Sequence, residues 1–109
     1  MPKKKPAGKL VANGMAILIL RSGQVITNAK VMDKAFQVAT SDLGTLTIKV
    51  EQISSIVYKN PPNFQTDFLR TLGGSEINGE VLNDPVNIQS ADLGGAVAIA
   101  KAKIAHITF

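Results

Sequence analysis

Side chains able to do chemistry are sparse in this chain and poorly spaced for it. There is one histidine, His106, and no cysteine. Disulfides, thiolate metal sites and cysteine nucleophiles are thereby excluded, as is a histidine-rich metal site within one subunit. His106 lies in Ile104-Ala105-His106-Ile107, on the opposite strand face from its apolar neighbours. It is expected to be a structural, outward or edge-facing histidine; its functional alternative is a pH-sensitive contact. Asp42 and Asp92 stand in matching Ser-Asp-Leu-Gly and Ala-Asp-Leu-Gly turns. Paired carboxylates can do acid–base work or bind a cation. A turn aspartate that caps its own backbone two residues on is the expectation here. Ser54 and Ser55 have no base that the sequence places beside them, and no Gly-x-Ser-x-Gly elbow, P-loop or Gly-x-Gly-x-x-Gly stretch occurs. No enzyme, metal or cofactor is expected.

The one genuine charge run is Lys3-Lys4-Lys5, flanked by Pro2 and Pro6 and followed by Lys9. Three roles are open to it: a solvated tail, an arm that reaches a polyanion, or an arm that docks on a neighbouring subunit. These four lysines account for the whole net charge of +4. The remaining body is neutral but dipolar: residues 10–59 carry five basic groups against three acidic, and residues 60–109 carry three against five. A phosphate-binding face needs several clustered cations, which this body does not supply. Hydrophobic residues make up 45% of the 109 and charged residues 18%, leaving apolar area for a neighbour. Leu10 to Leu20 is apolar apart from Asn13 and Gly14, but Arg21-Ser22-Gly23-Gln24 follows without a small-x-small cleavage site. The stretch is too short to span a bilayer. It reads as a soluble tail leading into a strand, and a cytoplasmic location or a place in an assembled particle is expected.

The elements that position these residues repeat. Asp42-Leu43-Gly44 returns fifty positions later as Asp92-Leu93-Gly94, and Asn28, Val31, Phe36, Val38 and Thr40 match Asn78, Val81, Val86, Ile88 and Ser90 at the same offset. Beyond the extra Gly95, Ile48, Ile53, Ile56 and Tyr58 match Ile99, Ile104, Ile107 and Phe109. The chain therefore divides into a basic tail (1–14), a first β repeat (15–58), a Pro/Asn linker (59–66) and a second β repeat (67–109). The period within each repeat is two, which predicts strands. Met15 to Leu20 is continuously apolar, as in a strand buried on both faces. Val25, Thr27, Ala29 and Val31 are expected on one face of the next strand, with turns at Gly23, Gly44 and Gly94. Glu51-Gln52-Ile53 predicts a single helical turn before each repeat's last strand. The prolines of Lys59-Asn60-Pro61-Pro62-Asn63 predict an extended linker.

Leu18 to Gly23, then Leu46-Thr47-Ile48 followed by Ile53 and Ile56, and again Val97 to Ile107, give an ending that resembles the small SH3-like barrels, Sm-like proteins included. The resemblance implies an all-β fold of two tandem five-stranded units of about 43 residues, packed together or strand-exchanged into one pseudo-twofold domain. It also implies sheets that extend across subunits. The Asp-x-x-x-Asn motif of RNA-binding members is missing: Phe36 and Gln37 follow Asp33, and Asp84 and Pro85 follow Asn83. The function expected is a non-catalytic subunit that self-associates into a shell, fibre, virion or similar assembly. Lys30 and Lys34 of the positive half would meet Glu76, Glu80 and Asp84 of the negative half between neighbours. The alternatives are a nucleic-acid-binding accessory protein acting through the lysine arm, and a peptide-binding adaptor.

Overall fold

Alternating apolar and polar residues, broken every few positions by Gly, Asp, Asn or Pro, leave this chain little but short strands to form. The structure, a computed structural model, describes residues 15–109. It contains ten strands: β1 (Met15–Leu20), β2 (Val25–Val31), β3 (Ala35–Thr40), β4 (Gly44–Lys49), β5 (Ile53–Val57), β6 (Asp67–Thr71), β7 (Glu76–Val81), β8 (Val86–Ser90), β9 (Gly95–Ile99) and β10 (Ile104–Thr108). The helical content is three single 3-10 turns, Val50–Gln52, Ala91–Leu93 and Lys101–Lys103. Gly44 and Gly94 hold φ of +73° and +88° at matching turns, a region that side-chain-bearing residues avoid.

All ten strands form one antiparallel sheet in the order β4-β3-β7-β6-β5-β10-β1-β2-β8-β9, curled into a half-barrel. There are not two separate barrels. The hairpin β3–β4 continues onto β7 through Val38 opposite Val81, and the hairpin β8–β9 continues onto β2 through Ile88 opposite Val31. The centre of the sheet is β5 on β10, with Ile56 opposite Ile107. Leu18, Phe36, Val38, Ile53, Ile56, Leu69, Val81, Val86, Ile88, Ile104 and Ile107 are fully buried in one core on the concave side. Removing each such side chain from water contributes about 1.5–3 kcal/mol. Phe109 packs edge-on against Phe36 at 6.3 Å and helps close this core.

Three local expectations are corrected. Met15–Leu20 is buried on one face, not both: Ala16 and Leu18 point inward, while Met15, Ile17 and Ile19 are 36%, 43% and 37% exposed. A single curled sheet has no second layer to cover its convex side. In β2 the inward residues are Ile26, Ala29 and Val31, whereas Val25 and Thr27 face out. The cause is a β-bulge: Ala16 pairs with Ala29 and Leu18 with Ile26, so β2 carries one extra residue and changes phase between them. The linker is not extended. The Asn60 carbonyl accepts from the Asn63 and Phe64 amides, and Asn60 bridges Phe64, so the Pro61-Pro62 segment closes into a tight loop.

One glycine is placed by close approach. A Cβ on Gly79 of β7 would run into the Ala39 carbonyl of β3, at the junction between the two halves. Gly73, in the turn after β6, has only an ordinary contact with Thr71 to gain. Gly79→Ala should therefore cost about 1–3 kcal/mol, while Gly73→Ala should stay within about 0.5 kcal/mol of wild type. Urea unfolding of the two variants side by side checks this; equal stabilities would show that the β3–β7 approach is not tight.

Candidate functional site

Among the described residues, the sheet ends on two strands that each have one hydrogen-bonded neighbour: β4, paired to β3, and β9, paired to β8. Unpaired edges are templates for another strand, and proteins usually guard them with charge, proline or a bulge. β9 reads Gly-Ala-Val-Ala-Ile with none of the three, and β4 carries a single charge, Lys49, at its end. The inward side chains Leu46 and Ile48 of β4 and Val97 of β9 are only half-buried. Beside β9 runs a groove of about 970 Å³, whose lining includes Leu20, Val25, Ile26, Leu93, Val97 and Ile99. On the convex side, Phe68, Val57, His106, Ile19 and Val25 lie opposite one another in a row across five strands. Phe64 stacks edge-on against Phe68 at 5.9 Å and is itself exposed.

A second constellation lies under the loop joining the halves. The Asp67 carboxylate, 0% exposed, accepts from the Lys59 amide at 2.8 Å and the Val81 amide at 2.8 Å, and lies 2.9 Å from Lys101 Nζ. Lys101 also lies 3.8 Å from Glu80, and its backbone amide donates to Asp84 at 3.0 Å. Arg21 donates to the Ala102 and Lys59 carbonyls beside it. Tyr58 is buried next to this group, and its hydroxyl has no partner among the described residues. Burial, and then the charges of Asp67, Asp33 and Asp84, push the ionisation of Tyr58 well above its ordinary value. With both Asp67 oxygens already engaged and its charge matched by Lys101, this cluster is a clamp rather than a general base or a ligand cage.

The residues singled out from the sequence divide accordingly. Lys3, Lys4, Lys5 and Lys9 lie outside the described residues. Glu80 and Asp84 come together on Lys101, and Glu76 pairs with Arg70 of its own hairpin. Lys30 and Lys34 are exposed and make no ion pair among the described residues. Asp42 does not cap its turn. Thr40 does: its hydroxyl donates to the Gly44 carbonyl at 2.7 Å and accepts from the Leu43 amide at 2.8 Å. Ser90, the counterpart of Thr40 before Asp92, is buried with its hydroxyl unpaired. His106 is half-buried and hydrogen-bonded to Thr108 at 3.1 Å. Among the described residues no three His, Asp or Glu side chains are placed to hold one metal ion, and no helix is long and apolar enough to cross a membrane.

Sequence reasoning missed two groups. Asp67 announces itself only as an acid two residues before Leu69, on the strand face that Leu69 buries. The other is a polar knot in which Asp33 accepts from the Asn83 side chain and from the Asn87 amide and side chain. Asn83 in turn accepts from the Gln37 amide. Asp33 and Asn83 stand at matching turns, so the fifty-residue offset was the available signal. No family model, curated protein or solved structure matches the chain.

Removing Asp67 leaves Lys101 and two backbone amides without their acceptor, so Asp67→Ala should cost about 3–5 kcal/mol. Tyr58→Phe should cost nothing and can stabilise by about 1–2 kcal/mol, because it deletes an unpaired buried hydroxyl. The pH dependence has a definite sign. An acid whose ionisation is suppressed by folding contributes stability that is whole below its ordinary value of 10.0 and is lost as pH rises beyond it. Wild type should therefore lose stability more steeply than Tyr58→Phe above pH 10, as read from denaturant midpoints. Parallel decline of the two proteins would show that Tyr58 ionises freely in the fold.

Proposed function

We propose that this protein is a non-catalytic building block that self-associates through the edges of its sheet. The observation that carries the reading is the pair of open edges at the two ends of one sheet, with half-buried Leu46, Ile48 and Val97 behind them. Exposed Met15, Ile17 and Ile19 on β1 add apolar area of the kind that marks interaction surfaces. Ion pairs between the oppositely charged halves would assist the choice of register and supply little of the strength. Glu76 and Glu80 already have partners within their own chain.

The same reading takes the chain as a duplicated SH3-like unit whose copies have exchanged their middle hairpins. Three regularities support it. The strand order is unchanged when every strand is replaced by its counterpart five places on and the sheet is read from the other end. The backbone bonds Met32 N–Asn87 O and Leu82 N–Gln37 O match at an offset of fifty, and Arg21 N–Lys103 O and Leu72 N–Gln52 O match at fifty-one. The bulge in β2 accounts for the change of offset within that strand.

Sedimentation and light scattering over a range of concentrations, at low and high salt, test the proposal. Concentration-dependent growth into a defined particle or polymer is expected. A monodisperse monomer at millimolar protein and low salt would sink it. A monomer that shifts only when nucleic acid is added would favour the lysine arm as the functional element instead. Deleting residues 2–9 should leave the fold intact, since the strand pattern of the sequence begins beyond them. A melting midpoint lowered by more than about 10 °C would show that the arm is part of the fold.

A further inference from the structure

Self-association through edges leaves open which edge meets which. Resting on that reading, we infer that β9 of one copy receives β4 of the next, antiparallel, so that the sheet continues head to tail from copy to copy.

Edge counting gives the first reason. A β9–β9 or β4–β4 contact by itself pairs one kind of edge and leaves the other open on every copy, so satisfying both that way takes two different junctions. A β9–β4 contact repeated from copy to copy satisfies both, and only the two ends of a filament, or none in a closed ring, stay open. The two strands are of similar length, five and six residues. Both keep the same inward and outward alternation, so the phase carries across the junction: Val97 and Ile99 on the concave side meet Leu46 and Ile48, and Ala96 and Ala98 on the convex side meet Thr45 and Thr47. Branched apolar side chains then meet one another on the concave surface, and threonine meets alanine on the convex one. β9 against β9 would set alanine against alanine beside a groove of about 970 Å³ and leave the exposed parts of Leu46 and Ile48 uncovered.

Charge fixes the direction. β9 is preceded by Asp92 and followed by Lys101 and Lys103; β4 is preceded by Asp42 and ends on Lys49. Lys101 is already held by Asp67, so antiparallel alignment brings Asp42 towards the exposed Lys103 and brings Lys49 towards Asp92. Parallel alignment would set acid against acid and base against base. These exposed charges orient the approach and are screened by salt, while the backbone ladder and the covered apolar side chains hold the contact. Growth should accordingly slow at high salt more than it reverses.

The absence of cysteine makes the test clean. Thr47→Cys and Ala98→Cys place single thiols on the exposed sides of the two edge strands, where neither substitution touches the core. The two variants are prepared separately, checked for unchanged circular dichroism, mixed, and treated with a thiol cross-linker of about 8 Å reach, the span of a diagonal cross-strand neighbour. The mixture should give cross-linked dimers containing one of each variant, at least ten-fold above the yield from either variant alone. Dimers from Ala98→Cys alone, or from Thr47→Cys alone, at the level of the mixture overturn the head-to-tail junction in favour of a twofold one. Assembly without cross-links in any sample overturns the junction and leaves self-association standing. A monomer throughout overturns the underlying reading as well, and capture of an extended peptide by that monomer would assign the β9 edge to a foreign strand.

Discussion

A single carboxylate without solvent exposure holds together the three segments on which the rest of the sheet depends. Asp67 accepts from the Lys59 amide, closing the loop that joins the two halves, and from the Val81 amide, fixing the end of β7. Lys101 supplies the opposite charge from the turn between β9 and β10. Val81 is the residue that pairs with Val38 where the first hairpin joins the second half. Burying a charged pair is costly in itself, and only complete hydrogen bonding offsets the desolvation. Here the two carboxylate oxygens receive three donors, so the clamp selects one arrangement of segments more than it adds stability. Tyr58 beside this clamp shows the counterpart: its apolar ring fills the core, and its hydroxyl has no partner among the described residues.

The strand order imposes a second constraint. Each hairpin, β3–β4 and β8–β9, finds its next neighbour in the other half of the chain, so neither half buries its own core alone. Pairing of this kind puts Val38 on Val81 and Ile88 on Val31, fully or nearly fully buried residues contributed by segments about forty to sixty positions apart. Non-local contacts of that separation fold slowly and cooperatively, which argues for one unit and against two independent ones. A cost follows from using one layer. The concave side takes the buried residues, and Met15, Ile17, Ile19 and Phe64 are left in solvent, with Phe68 half-buried beneath Phe64.

Much of this was legible from the alternation of residue types, because burial on one face of a strand writes a period of two directly into the sequence. Phe36 and Val38 in β3, and Val86 and Ile88 in β8, are inward where that period puts them. The glycine turns were legible because few residues satisfy their backbone angles; of the three 3-10 turns, those before β5 and β10 were expected and Ala91–Leu93 was not. What was not legible has specific causes. The bulge in β2 shifts the phase by one residue between Ile26 and Ala29, and a period of two cannot signal its own interruption. The apolar run of β1 looks the same whether two layers or one and a solvent-facing surface surround it. Asp67 and the Asp33–Asn83–Asn87 knot depend on segments far apart in sequence, so residue type alone gave no reason to join them.

The two edges follow from the same cross-pairing of hairpins that makes the core. Because each middle hairpin reaches across to the opposite half, its inner strand, β3 or β8, is flanked on both sides, and its outer strand, β4 or β9, is necessarily left last in the sheet. An edge produced in this way cannot be removed by better packing inside one chain; it can only be guarded or used. Guarding would place lysine, proline or a bulge within the strand, and β9 has none of them. A chain that carries sixteen ionisable Lys, Arg, Asp and Glu residues in its described part, yet none in the strand most open to pairing, has its charges at the turns on either side instead: Asp92 before β9, Lys101 and Lys103 after it. The exposed ones among them, Asp92 and Lys103, leave the ladder accessible and bias the direction in which another strand can lie.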